Sequence, residues 1–360
     1  MAKLQAMMGE AEKSTGVVGK YGGAYDQIMR APTGIFPLDL ACGGGLPRGR
    51  MTEIYGPESS GKTNILLRTI AMNQELHPEQ ANAFIDMEGT WDPKWAKQMG
   101  VKPDDVYVVR PDFAEQAGDF VDKALMADDI GIVGVDSIGA LGTERDLDKD
   151  MESFDPGGVA RVVGKIVRKA TRRLKTVRDQ KKQSEPTLIL LNQIRHKIGV
   201  MMGNPETTPG GFAPRFAYSM RIRTYAKNKS EKSINAVLPY CKDTSIKIVK
   251  WKCPITAEVA EYEMYMLGAN GFKPGDVDDW NLIEKLLRER GMLEKGKKGW
   301  TMCDEEFPTL KACEARYWAD LSWRLELQAR FIQEAVKATS YDPEGEVKID
   351  PKTGEILIAA

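Results

Sequence analysis

MTEIYGPESSGKTNILLRTIAMNQEL, residues 51–76, decides the fold. MTEIY is a short β-rich run, and TNILLRTIAMNQEL carries apolar residues at helical spacing. Between them GPESSGKT, Gly56 to Thr63, satisfies GxxxxGK[ST]. A strand, a glycine-bounded loop and a helix, in that order, form a phosphate cradle. The loop Gly56, Pro57, Glu58, Ser59, Ser60 and Gly61 turns backbone N–H groups toward nucleotide phosphates, and the helix N-terminus adds partial positive charge. Lys62 is placed to reach the β and γ oxygens, and Thr63 to bind Mg²⁺.

Outward from this stretch, NAFID (82–86), DVYVV (105–109), GIVGVD (131–136) and TLILLNQ (187–193) alternate with amphipathic segments such as AEQAGDFVDKALMA. Buried runs separated by helices indicate βαβ units and a parallel sheet, because parallel strands need crossover connections. FAYSMRIRTY (216–225), SIKIVKWK (245–252) and VAEYEMYML (259–267) read as three antiparallel edge additions. After GANGFKPGD (268–276) the pattern turns helical, in WNLIEKLLRERGML and in LKACEARYWADLSWRLELQARFIQEAVKA, and reads as a small separate α-rich unit.

A nucleotide site on such a sheet needs a carboxylate beside the metal, and Asp136 ends an apolar strand. Glu88, just past NAFID, is either the base that takes a proton from attacking water or a turn acid. In GTWDPKW, Trp95 suits either stacking on adenine or packing in the core, with Asp92 nearby.

Residues 157–183 form a helix candidate with an apolar stripe (Val159, Val162, Val163, Ile166, Val167, Ala170, Leu174, Val177) and ten Lys or Arg against a single acid, Asp179. This face is either simply solvated or a phosphate-binding surface. The loops at 150–158 and 195–211 offer glycine-rich backbone beside it. Arg195, His196 and Lys197 stand at the root of the second loop, with Ile198 available to wedge between bases. Together they favour single-stranded nucleic acid.

Composition narrows the rest. The chain has 360 residues, 42% hydrophobic and 29% charged, which is ordinary for a folded globular protein and long enough for about two domains. Net charge is −1, so any affinity for nucleic acid must come from a local patch. Five cysteines without a CxxC pair and two histidines speak against a zinc site and for reduced thiols. With neither a signal-peptide pattern nor a run near ~18 apolar residues, the expected location is the cytoplasm and no membrane partner is expected.

The sequence resembles the bacterial RecA recombinase family over about residues 16–300. The matching stretches are YDQIMR (25–30), TGIFPLDLACGGGLPRGRMTEIYGPESSGKT (33–63), FIDMEGTWDP (84–93), VDSIGAL (135–141) and LNQIRHKIGVMMGNPETTPGG (191–211). The resemblance implies an α/β fold: a RecA-like P-loop ATPase core with a mixed, mainly parallel sheet over 31–268, a short N-terminal polymerisation arm over 1–30, and a small C-terminal α/β domain over 269–340. A mildly acidic flexible tail follows over 341–360.

It further implies that ATP and Mg²⁺ bind at Lys62, Thr63 and Asp136, with Asp92 and Trp95 at the adenine. Glu88 activates water, and Gln193 links the γ-phosphate to the second loop. Lys250 and Lys252 reach the ATP of an adjacent subunit, and Phe216 lies at the subunit interface. Arg161, Arg168, Arg195, Lys197, Ile198, Glu206, Gly210 and Gly211 match DNA-contact positions. The chain departs from the family's pattern at Pro156, His196, Met202, Pro209 and Phe212, changes that keep the second loop apolar and basic.

The implied activity is DNA-dependent ATP hydrolysis by a helical homo-filament on single-stranded DNA, pairing it with double-stranded DNA and exchanging strands. A self-cleaving repressor and loading proteins are further partners the resemblance suggests. Two other readings of the same core are an ATP- and DNA-binding switch with little strand exchange, and a hexameric helicase.

Overall fold

The computed structural model describes residues 7–8, 13–15, 28–140, 142–143, 156–179, 184–196, 206–211, 213–228, 233–234, 238–269, 271–339, 348–349 and 356–357. In chain order the main elements are α1 (Phe36–Cys42), β1 (Met51–Gly56), α2 (Lys62–Leu76), β2 (Ala81–Asp86), α3 (Pro93–Gln98), β3 (Val106–Val109), α4 (Ala114–Ala124) and β4 (Ile130–Asp136). There follow α5 (Pro156–Asp179), β5 (Thr187–Gln193), α6 (Ala213–Ala217), β6 (Met220–Asn228), β7 (Cys241–Trp251), β8 (Val259–Tyr265) and β9 (Val277–Asp278). The chain continues with α7 (Trp280–Glu289), β10 (Leu293–Lys295), β11 (Trp300–Met302), β12 (Glu305–Phe307), α8 (Leu310–Ala319) and α9 (Leu321–Thr339).

Strands β1 to β9 form one nine-stranded sheet in the order β9-β8-β7-β6-β1-β5-β4-β2-β3. The pairs from β6 through β3 are parallel. β7, β8 and β9 extend the sheet in antiparallel fashion. β1 and β4 are buried along their whole length, as strands covered on both faces must be. The two-residue period of β5 sends Ile189 and Leu191 into one core, with Ile54, Ile65, Leu66 and Ile132. Leu188 and Leu190 enter the other, with Val133, Val135, Val163 and Val167.

One sequence expectation needs correction. The segment 216–225 is not an antiparallel edge strand throughout: its start lies in α6, and β6 runs parallel to β1, Ile222 opposite Ile54. β5 and β6 both run parallel to β1, on its two sides, so the chain between them must cross over. The C-terminal unit is α-rich, and β10, β11 and β12 add an antiparallel meander to its helices, in keeping with the α/β domain the resemblance implies. These strands have three residues each, too few for period-two patterning to stand out. The long helical pattern after 310 is two helices, because Asp320 is extended and its carboxylate caps α9 by accepting from the Trp323 N–H.

A third apolar cluster joins Trp280, Ile283, Leu287, Leu293, Tyr317, Leu327 and Phe331 to Phe36 of α1. Phe331 is fully buried there. Phe331→Ala should cost about 3–5 kcal/mol through lost burial and a cavity, read by urea denaturation followed through tryptophan fluorescence. A loss below ~1 kcal/mol would mean that the cluster collapses around the gap rather than acting as a packed core.

Of the expected arm, Met7–Met8 and Lys13–Thr15 are described, helical and exposed, and so are residues 28–30, where Arg30 is fully buried and pairs with Pro47. Of the tail, Lys348–Ile349 pairs with Ile356–Leu357. Lys197, Ile198, Met202 and Phe212, and the loop at 150–158 up to residue 155, lie outside the described residues. Among the described residues, no helix is long and apolar enough to cross a membrane.

Candidate nucleotide and nucleic-acid site

The parallel strands deliver their C-terminal ends to one edge of the sheet, where open α/β folds bind ligands. β1 ends at Gly56, level with Gln193 at the end of β5. Asp86 ends β2 level with Asp136 at the end of β4. Residues distant in sequence thus meet around the 56–63 loop.

That loop is tightly seated. A Cβ on Gly56 would lie 2.2 Å from Thr224 Oγ1 and 2.7 Å from Ser60 Oγ, so no larger residue fits. Ser59 and Gly61 have left-handed backbone, φ 55° and 87°. Ser60 Oγ and Thr224 Oγ1 are hydrogen-bonded at 2.6 Å, tying the loop to β6. Lys62 opens α2 and curls back, donating to the carbonyls of Pro57 (2.7 Å) and Gly56 (3.2 Å). Burial holds its ammonium below the usual lysine range, with Asp136 and Glu88 pulling the other way.

Thr63 donates to Asp136 Oδ2 at 2.7 Å. Burial pushes the Asp136 carboxyl up to about 6, and the neighbouring Glu88 charge adds to this. Hydroxyl and carboxylate oxygens are the donors a hard cation such as Mg²⁺ takes, so this pair fits the ion. Glu88 Oε1 accepts from Ser137 Oγ at 2.5 Å and from Gln193 Nε2 at 3.1 Å. Glu88, Gln193, Asp136, Thr63 and Lys62 therefore converge.

Asp86, which the sequence reading passed over, braces the segment after β2. Its carboxylate accepts from the N–H groups of Thr90 (2.9 Å) and Trp91 (3.0 Å) and from Arg110 Nε (3.1 Å). The signal was its place at the end of an apolar strand, the same one that marked Asp136. Asp92 caps α3 by accepting from the Lys94 N–H at 2.8 Å. Trp95 packs on the core's rim and donates from Nε1 to Asn64 of α2 at 3.2 Å, so packing accounts for part of its placement.

Lys250 and Lys252 sit elsewhere. Lys250 is in register with Arg221, which pairs with Glu53, three residues before Gly56. That is ~10 Å along the strand from the loop, with a further strand between. Lys250 donates to the carbonyls of Arg215 and Phe216, and Lys252 to that of Phe216 at 2.6 Å. Burial, with Lys252 adjacent, lowers the Lys250 ammonium to about 8. Both lysines hold the carbonyl side of α6, whose Phe216 is 72% exposed.

On α5, Val163, Val167, Ala170, Leu174 and Val177 face the core. Arg161, Lys165, Arg168, Arg172 and Lys175 form an exposed stripe at three- and four-residue steps. Two of the helix's cations are committed instead to α4: Arg173 to Asp122 (2.7 Å) and Lys169 to Asp119 (3.5 Å). Arg195 is exposed on a two-residue strand, Arg195–His196, paired with Glu206–Thr207. The Glu206 carboxylate is engaged by Arg223 (Nε at 2.8 Å).

Gly210 lies over α5, where a Cβ would meet Val163 Cγ1 at 2.9 Å, and Gly211 follows above Ala160. The glycine pair lets this end of the second loop pack on the basic helix, so close packing on α5, as well as any approach to phosphate, asks for small residues here. Asn192, also unforeseen, ties the loop's end to the core by donating to Pro209 O (3.2 Å) and to Glu53 Oε1 (2.9 Å).

The chain is similar to known proteins over most of its length. The family model described as RecA N-terminal domain matches residues 2–272. Protein RecA of Thioalkalivibrio sulfidiphilus (strain HL-EbGR7) is 36% identical over 296 residues, covering 80% of this chain and 82% of that protein. Protein RecA of Mycobacterium ulcerans (strain Agy99) is 38% identical over 292 residues, 80% and 81% of the two chains. Protein RecA of Rhodospirillum rubrum is 37% identical over 296 residues, 80% and 76%.

Proposed function

This chain belongs to the RecA family, and from that membership we infer a DNA-dependent ATPase that promotes homologous pairing and strand exchange as a filament on single-stranded DNA. The observation that carries the catalytic reading is Glu88 bonded to Gln193 at the same sheet edge as the phosphate loop. In this reading the loop N–H groups and Lys62 hold the triphosphate of ATP, and Glu88 takes the proton from the attacking water. Thr63 and Asp136 would hold Mg²⁺, which when bound neutralises charge on the phosphate oxygens.

Gln193 stands between Glu88 and the strand Arg195–His196 at the root of the second loop. A change in Glu88's partners at the nucleotide therefore moves a residue covalently joined to the DNA-facing segment. Asp92 and Trp95 flank the adenine side, and Ser137 orients Glu88. Lys250 and Lys252, remote from their own phosphate loop, serve the nucleotide of a neighbouring subunit, with Phe216 at that junction. Each site is then complete only between protomers of a filament.

The exposed stripe of α5, with Arg161 and Arg168, together with Arg195, Lys197, Ile198, Gly210 and Gly211, is the DNA side. Glu206 acts there by orienting Arg223. Replacing Arg161 and Arg168 by alanine should weaken binding to single-stranded DNA and reduce the slope of log K against log salt by ~1.4, about 0.7 per lost phosphate contact. Fluorescence anisotropy across a salt series reads this, and an unchanged slope would make the stripe merely solvated.

The direct test of the whole reading is ATP hydrolysis with and without single-stranded DNA. Strong stimulation is expected, followed by strand exchange on homologous duplex. Turnover indifferent to DNA would overturn it, as would ATP-driven unwinding of a forked duplex without pairing.

A further inference from the structure

A second lysine touches the phosphate loop. Lys242, near the start of β7, donates from Nζ to the carbonyl oxygen of Ser59 at 2.5 Å. The contact bridges 183 residues of sequence, and no motif announced it. Two residues along the same strand face, Thr244 approaches the other end of the loop, 3.7 Å from where a Cβ on Gly61 would sit. β7 thus lies along the loop from Ser59 to Gly61, beside the Ser60–Thr224 bond from β6.

We propose that Lys242 is a positioning residue of the nucleotide site, holding the Ser59 carbonyl on the β7 side so that the Ser60 N–H stays turned toward the phosphates. In a planar trans peptide, the carbonyl of one residue and the N–H of the next point in opposite directions. Anchoring the Ser59 oxygen therefore aims the Ser60 N–H away from β7. The ammonium also polarises that peptide, making its N–H a stronger donor.

A loop with a non-glycine residue at φ 55° needs such a hold, because left-handed backbone is costly for serine. Lys62 holds the neighbouring carbonyls of Gly56 and Pro57 in the same way, so two ammoniums from different elements grip consecutive parts of the loop's carbonyl side. Partial burial lowers the Lys242 ammonium from its usual range, a cost that its hydrogen bond to Ser59 offsets. Near its other end the same strand carries Lys250, on the α6 carbonyls, so β7 connects the loop's grip to the segment assigned to the subunit junction.

The inference rests on the nucleotide reading of the loop, and its test separates the two. Lys242→Met keeps the aliphatic stem and removes the cation, while Lys242→Arg keeps a cation. Binding of a ribose-labelled fluorescent ATP and hydrogen–deuterium exchange over residues 57–63 are measured on the full chain. Lys242→Met should weaken ATP binding about 10-fold, the size of a lost charge-assisted hydrogen bond. It should also speed exchange in the nucleotide-free loop by a similar factor, raise KM more than it lowers kcat, and leave nucleotide-free DNA binding unchanged.

Lys242→Arg should restore both readouts to within about twofold of the parent. Wild-type affinity and exchange in the Met variant would overturn the proposal, and so would an Arg variant as defective as Met, which would make the role one of shape. If the parent chain itself fails to bind ATP, the nucleotide reading falls, while loop exchange still decides whether Lys242 holds the Ser59 peptide.

Discussion

Lys62→Ala should abolish ATP turnover, lowering the DNA-stimulated rate by at least ~10²–10³-fold, the usual loss when a fixed donor to a reacting oxyanion is removed. The lysine is 9% exposed, donates to the loop carbonyls of Gly56 and Pro57, and feels the charges of Asp136, Glu88 and Glu58. Without it the loop keeps its N–H groups but loses the one charge that α2 itself places on the phosphate side. Filaments that need bound ATP should fail with it. Steady-state hydrolysis and light scattering on long single-stranded DNA check this, with thermal melting to show that the variant folds. Normal turnover would remove the 56–63 loop from the catalytic reading altogether.

Glu88→Gln should separate binding from hydrolysis. The glutamine carbonyl can still accept from Ser137 Oγ and Gln193 Nε2, so the local geometry has no reason to collapse. It cannot accept a proton from water. Hydrolysis should fall about 10²–10⁴-fold, the range for a lost general base, while ATP affinity stays within a few-fold. Because Gln193 leads into Arg195–His196, the unhydrolysed state should persist on DNA, lengthening filament lifetime after dilution of ATP. Loss of ATP binding instead would make Glu88 a structural acid of the turn after β2.

Particular residues show how far the sequence carries. Asp136 and Glu88 were legible as strand-end carboxylates, since an acid after an apolar run is a local signal. Their meeting with Gln193 was not, because it depends on β5, β4 and β2 lying side by side in that order. The same applies to Lys250 and Lys252: a resemblance could suggest that they serve another subunit, while the register with Glu53 puts them well away from their own loop. Trp95 stayed ambiguous in sequence because one flat apolar ring suits a core and a base equally, and the bond to Asn64 needed coordinates. Lys242 was invisible in sequence, being one of 51 basic residues with no neighbouring pattern.

By itself the sequence determined the local chemistry of this protein: a strand, glycine loop and lysine within 51–63, apolar runs that must be buried, and a helix with one greasy and one basic face. These depend on neighbours a few residues apart, so backbone geometry and side-chain period suffice to read them. Only the tertiary structure decided which distant residues share the site. Strand order and register bring Gly56 level with Gln193 and Asp86 level with Asp136, commit Arg173 and Glu206 to ion pairs, and draw Lys242 onto the Ser59 carbonyl. Such pairings are set by the packing of the whole sheet, and no short window of sequence contains them.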